Sequence, residues 1–165
     1  MWEGVSIILN RKTAVITGAA VGIGRAAAIK FAQNNICLSL LDLDFGKLQD
    51  LRNELKEYNV DVLIFKCDVS NETEVNDIIH KTVEKFGKVD ILVNNAAIWR
   101  SDKPFGDITA EEWKKYLDVN VMSVVYCSRA VLKKMIENKY GRIINVSSVA
   151  GVYGNAYMYD SLLGN

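Results

Sequence analysis

The eight residues Thr17-Gly18-Ala19-Ala20-Val21-Gly22-Ile23-Gly24 constrain this chain more than any other stretch. The apolar run Thr13-Ala14-Val15-Ile16 precedes them and reads as a strand. Arg25-Ala26-Ala27-Ala28-Ile29-Lys30-Phe31-Ala32 follows and reads as a helix. Glycines at a strand-to-helix turn let backbone N–H groups approach an anion with no Cβ in the way. The helix start adds a dipole end of roughly +0.5 charge. The pattern predicts a cradle for a nucleotide pyrophosphate made by Gly18, Val21, Gly22, Ile23 and Gly24. A tight turn that merely packs a helix close to a sheet is the alternative.

Further apolar runs of strand length recur at Thr13–Thr17, Ile36–Leu41, Val62–Cys67, Ile91–Asn94 and Ile143–Val146. They are continuous, as strands covered on both faces should be. Helical stripes fill the gaps: Leu48, Leu51, Leu55 and Tyr58, then Val75, Ile78, Ile79, Thr82, Val83 and Phe86. A longer stripe follows at Val121, Val124, Val125, Ser128, Leu132, Met135 and Ile136. Asn71 with Glu74 and Thr109 with Glu112 have capping-box spacing. Alternating strands and helices predict an α/β fold, a doubly wound, Rossmann-like parallel sheet of five strands with helices on both faces. No linker or repeat interrupts residues 1–165, so one dinucleotide-binding domain is expected.

Composition narrows the functions. Lys+Arg and Asp+Glu are both 20, so no basic field recruits nucleic acid or a membrane surface. A hydrophobic share of 50% with one proline argues against disorder, and 165 residues can bury a real core. No apolar run reaches the roughly 18 residues of a membrane span, and the start has no signal-peptide pattern. Cys37, Cys67 and Cys127 form no C-x-x-C pair, and His80 is the only histidine, so neither a metal site nor a Ser-His-Asp triad is expected. The expected location is cytoplasmic.

In doubly wound sheets ligands sit beyond the carboxyl ends of the strands. Those ends carry the glycine loop, Asp42, Asp68-Val69, Asn94-Asn95-Ala96-Ala97 and Ser147-Ser148. Asp42 lies 18 positions past Gly24, near the spacing of the acidic residue that accepts from the adenosine ribose hydroxyls. A 2′-phosphate there would meet like charge, about 4 kcal/mol at 4 Å for an effective dielectric of 20. Val21 offers no compensating cation, so NAD is expected ahead of NADP. A plain strand end that helps cap the helix near Asp44 is the duller reading of Asp42.

Taken in order, these blocks resemble the short-chain dehydrogenase/reductase family, in its main single-domain branch of NAD(P)-dependent oxidoreductases. The resemblance rests on the T-G-x-x-x-G-I-G loop at Thr17–Gly24 and on Cys67-Asp68-Val69. It rests also on Asn94-Asn95-Ala96-Ala97, on Asn120 within Leu117–Val121 and on Asn145-Val146-Ser147-Ser148. It runs from about Leu9 to Gly154 and implies hydride transfer between nicotinamide and a small alcohol or carbonyl substrate. It further implies that Asp68 and Val69 receive the adenine edge, and that Asn95 and Ala96 pass beside the cofactor ribose. Asn94 reads as a structural amide. Asn120 would mark a helix irregularity that exposes backbone to a water relay. A serine hydroxyl at a strand end can donate to a substrate carbonyl; of the two serines, the resemblance makes Ser148 catalytic. By location alone, the loop Trp99-Arg100-Ser101-Asp102 is expected to border the substrate. Relatives pair through long helices, one equivalent to 118–138, so a homo-oligomer is a possible partner state.

The pattern breaks near the end. The family uses a tyrosine with lysine four positions on, the lysine lowering a phenol that ordinarily titrates near 10. Tyr159 is the best substitute, but Leu163 stands where lysine belongs, and Ser161 stands thirteen residues after Ser148. The resemblance therefore implies a C-terminally truncated chain lacking later strands and a substrate-covering segment. A noncatalytic nucleotide-binding fragment is the alternative function. A methyltransferase is a third, but it explains neither Asn94-Asn95-Ala96 nor Ser147-Ser148.

Overall fold

A computed structural model describes residues 12–99 and 105–149. Its centre is a parallel sheet of β1 (Thr13–Thr17), β2 (Cys37–Asp42), β3 (Val62–Lys66), β4 (Ile91–Asn94) and β5 (Arg142–Asn145). The spatial order is β3-β2-β1-β4-β5, so the winding reverses between β1 and β4. Between the strands run α1 (Gly22–Ala32), α2 (Phe45–Glu54), α3 (Glu72–Phe86), α4 (Ala110–Leu117) and α5 (Ser123–Glu137). Two strand starts differ by a residue from expectation. The Ile36 N–H closes α1 on Phe31 O (3.1 Å), which delays β2, and the Arg142 N–H bonds Asp90 O (2.9 Å), which advances β5.

Strand side chains alternate between two cores. Ala14, Ile16, Leu38, Leu40, Ile91 and Val93 face α1 and α2, meeting Ala28, Ala32, Leu48 and Leu51. Val15, Leu41 and Leu92 face α3 and α5, meeting Val75, Ile78, Cys127 and Val131. Helix α1 packs through small residues one turn apart, Gly24, Ala28 and Ala32, all buried. Ser39 and Thr82 are buried as a hydroxyl pair at 2.7 Å, with Thr82 also donating to Ile78 O at 2.8 Å. Their polarity is thus satisfied within the core.

The third stripe turns differently from its sequence pattern. The inward residues of α5 are Ser123, Cys127, Val131 and Met135, whereas Val121, Val125, Leu132 and Ile136 are exposed. A π-helical turn at Asp118–Met122 precedes α5 and shifts its phase relative to α4. Small inward residues let α5 approach the sheet, and Ser123 donates its hydroxyl to Val119 O (2.5 Å). Among the described residues no helix is long and apolar enough to cross a membrane.

At the amino rim of the sheet, Asp90 is buried and accepts from the Thr13 N–H at 2.9 Å. Lys12 and Lys88 flank it at 3.2 and 3.3 Å. Lys12 also stands 3.6 Å from the Tyr140 ring centroid, with Arg142 at 5.1 Å. One polar cluster fastens β1, β4 and β5 at that end.

Candidate functional site

The opposite, carboxyl rim opens into a crevice of about 950 Å³ at the point where the winding reverses. Its floor is the glycine loop. Gly18 has φ +62°, and a Cβ there would lie 2.8 Å from Ala96 Cα. A Cβ on Gly24 would come within 2.3 Å of Gly18 O. Gly22 has φ +56° but faces open space, so its requirement is conformational rather than steric. Helix α1 starts after Val21 with no side-chain cap and no acidic residue in its first turn. By contrast α2, α3 and α4 are capped by Asp44, Asn71 and Thr109. The first turn of α1, whose Ile23 lines the crevice, therefore leaves its amides without a side-chain acceptor, as an anion site would require.

The loop is held from behind. Asn95 Nδ2 donates to Thr17 O (3.0 Å) and Gly18 O (2.9 Å). The Asn95 and Ala96 N–H groups donate to Thr17 Oγ1, each at 3.0 Å. The Asn95 side chain thus points at the loop backbone, and Thr17 is a participant that its strand-end position signalled but its residue type did not. Asn94 Nδ2 donates to Asn145 Oδ1 (2.9 Å) and Ser128 Oγ (3.3 Å), joining β4 to β5 and α5 in the structural role its sequence suggested.

Asp42 lies at the crevice edge, half-buried. It accepts from the Ala20 N–H through Oδ2 and from the Asp44 N–H through Oδ1, both at 3.0 Å. Asp68 accepts from the N–H (2.9 Å) and hydroxyl (2.6 Å) of Ser70, both through Oδ1. Val69 is buried beside it. Glu74 does not close the capping box expected with Asn71; its Oε2 accepts from the Asp68 N–H (3.0 Å) and its Oε1 from Asn71 Nδ2 (3.0 Å). Thr109 and Glu112 do form a reciprocal box.

Asn120 is buried inside the π-helical turn, the irregularity the sequence implied. Its amide is paired twice with Ile98: Oδ1 accepts from the Ile98 N–H and Nδ2 donates to the Ile98 carbonyl, both at 2.9 Å. It anchors the segment after β4 that runs to exposed Trp99 on the crevice wall. Ser148 is half-buried after β5, and Val146 and Ser147 line the crevice. Tyr159 and the loop residues Arg100, Ser101 and Asp102 lie outside the described residues. Sequence reading missed the wall made by α4 and the start of the π-helical turn, where Glu111, Lys114, Lys115 and Asp118 line the crevice. Their i, i+3, i+4, i+7 spacing was the available signal.

Cys67 also borders the crevice, but burial pushes its thiol up to about 12, and burial does the same to Cys127. Neither supplies a thiolate near neutral pH. His80 is exposed on α3, 3.6 Å from Glu84.

A model of the short chain dehydrogenase family matches residues 12–159. The chain belongs to the short chain dehydrogenase family. The 3-oxoacyl-(acyl-carrier-protein) reductase FabG of Thermotoga maritima is 35% identical over 147 residues, 89% of this chain and 59% of that protein. The 3beta-hydroxysteroid dehydrogenase 2 of Eggerthella lenta is 35% identical over 146 residues, 88% of this chain and 56% of its own length. Among solved structures, NAD+-bound xylitol dehydrogenase superposes with a TM-score of 0.88 at 33% identity, covering 93% of this chain and 59% of that one. Levodione reductase gives 0.88 at 32% identity, with 92% and 60% coverage. The chain thus spans about six-tenths of the length of these relatives. This chain's five strands, its glycine loop and its strand-end residues all fall within the matched residues 12–159.

Proposed function

We propose that this short chain dehydrogenase binds NAD, in preference to NADP, and serves hydride transfer between the nicotinamide and a small alcohol or carbonyl substrate. The observation carrying this reading is the convergence, on one crevice, of the loop residues Gly18, Val21 and Ile23 at an uncapped helix start and the Asp42 carboxylate. The donor set fits a dinucleotide: amides of Gly22, Ile23 and Gly24 for the pyrophosphate, with Gly18 and Val21 shaping the floor. Asp42 meets the adenosine ribose, Asp68 and Val69 meet the adenine edge, and Asn95 and Ala96 flank the inner ribose. When bound, the nicotinamide supplies or accepts the hydride. Ser148 donates its hydroxyl to the substrate oxygen and polarises the carbonyl. Asn120 holds the Ile98 backbone, and Tyr159 is the available phenol for proton transfer. Calorimetric titration with NAD and NADP, alongside turnover on an alcohol and carbonyl panel, tests this. NAD binding at least tenfold tighter than NADP supports it; absence of heat at millimolar NAD overturns it.

A second reading is favoured by one sequence observation. Tyr153, Tyr157 and Tyr159 are followed four positions on by Tyr157, Ser161 and Leu163, never by lysine. Without that cation a phenol near its ordinary value of about 10 is a poor base at neutral pH. A nucleotide-binding chain without turnover would then show NAD heat and no catalysis. The homo-oligomer reading is supported by the exposed residues Leu117, Val121, Val125, Leu132 and Ile136, which recur every turn or two along one stretch of helix. Light scattering before and after Val125→Lys tests it, a monomeric parent being the refuting result.

A further inference from the structure

We infer that Asp42 is also a positioning residue for the glycine loop, so that one carboxylate sets both the sugar contact and the shape of the phosphate cradle. This rests on the nucleotide reading above and deepens it. Two successive loop amides are stitched to the end of β2: the Ala19 N–H reaches Leu41 O at 3.1 Å, and the Ala20 N–H reaches Asp42 Oδ2 at 3.0 Å. Ala20 is almost fully buried, at 3% exposure, and its N–H is covered by the half-buried Asp42 carboxylate at the crevice edge, so loss of the carboxylate opens that amide to crevice water. On the other oxygen, Asp42 Oδ1 accepts from the Asp44 N–H, fixing the carboxylate's own orientation at the start of α2.

A carboxylate offers about four acceptor sites. The two amides use one site on each oxygen, leaving one on each for the two hydroxyls of a ribose. The latch and the sugar contact are therefore compatible. Beyond Ala20 the chain enters Val21 and the open Gly22, where no side chain holds the backbone. Asp42 is thus the last side-chain contact before the cradle, and its loss frees the segment that must stay shaped for phosphate.

The test uses Asp42→Ala and Asp42→Asn, with 2′,3′-dideoxy-ADP as a probe that has a pyrophosphate but no ribose hydroxyls. Both variants remove the charge, and Asn retains a carbonyl acceptor. That carbonyl is expected to turn to the buried Ala20 N–H, since the Asp44 N–H lies at an exposed helix start and can be hydrated. The latch predicts that Asp42→Ala weakens dideoxy-ADP about tenfold, the value of one hydrogen bond to a charged acceptor, and that Asp42→Asn weakens it less. Equal affinity in the parent and both variants, or equal losses in the two, overturns the latch. In the ligand-free protein, amide exchange at Ala20 should accelerate at least tenfold in Asp42→Ala; unchanged exchange also overturns it. If the parent binds neither NAD nor dideoxy-ADP, the nucleotide reading fails, while the exchange measurement still decides the latch.

Discussion

Gly24→Ala isolates the closest contact in the glycine loop. The added methyl would lie 2.3 Å from Gly18 O and 2.6 Å from Asn95 Nδ2, well inside the 3.0 Å that real Cβ atoms respect. Gly18 carries its own backbone constraint, at φ +62°, and Asn95 is bonded to Thr17 O and Gly18 O, so neither neighbour yields freely. Overpacking of this kind costs about 1–3 kcal/mol. Displacing Asn95 forfeits both of its hydrogen bonds, of about 1 kcal/mol each. Alanine's better helix propensity returns about 1 kcal/mol. The net expectation is a loss of about 2–4 kcal/mol, or roughly a 6–12 °C fall in Tm for a chain of this size. Urea unfolding followed by far-UV circular dichroism measures it. Gly22→Ala is the control: it meets no atom within 4 Å, so only the φ of +56° is strained, at about 1–2 kcal/mol. If Gly24→Ala matched the parent in stability, or were milder than Gly22→Ala, the close-approach argument would be refuted.

Two further outcomes are expected. Asp90→Ala leaves the Thr13 N–H without its acceptor and strips Lys12 and Lys88 of their shared partner. Both lysines retain some solvent, so the expected loss is about 2–4 kcal/mol by urea unfolding; a loss under about 0.5 kcal/mol would mean the cluster is ornamental. Cys67 and Cys127 keep their protons up to about 12 in the folded chain, against an ordinary value of 9.0. The unfolded chain ionises first, so their contribution is whole below pH 9 and declines as pH rises from 9 towards 12. Native titration with a thiol reagent at pH 8 should modify Cys37 before the others. Equal rates at all three sites would contradict the burial.

Much of this molecule was legible because its signals were local. Continuous apolar runs located all five strands to within a residue, and a glycine-rich turn between a strand and a helix marked the crevice. Asp42, Asp68 and Val69 reached its edge because strand ends in such sheets share one rim. What stayed hidden depended on partners distant in sequence. The Asn95 amide donates to Thr17 O and Gly18 O, 78 and 77 positions away, a tie that no local pattern announces. Glu74 carried a capping signature but reached Asp68 instead, because the β3–α3 turn brings that amide closer. The stripe in α5 misled because apolar residues occupy two faces there, and hydrophobicity alone ranks Leu132 and Ile136 above Ser123 and Cys127. The π-helical turn selected the face with smaller side chains.

The polar cluster around Asp90 and the polar ties at the crevice act on opposite ends of the same strands. The cluster binds three strands at the end remote from the crevice, where Lys12 and Arg142 also approach the Tyr140 ring. The Thr17, Asn94 and Asn95 bonds join the same three strands at the carboxyl rim, so the sheet is tied at both ends and the crevice is framed by strands held in fixed register.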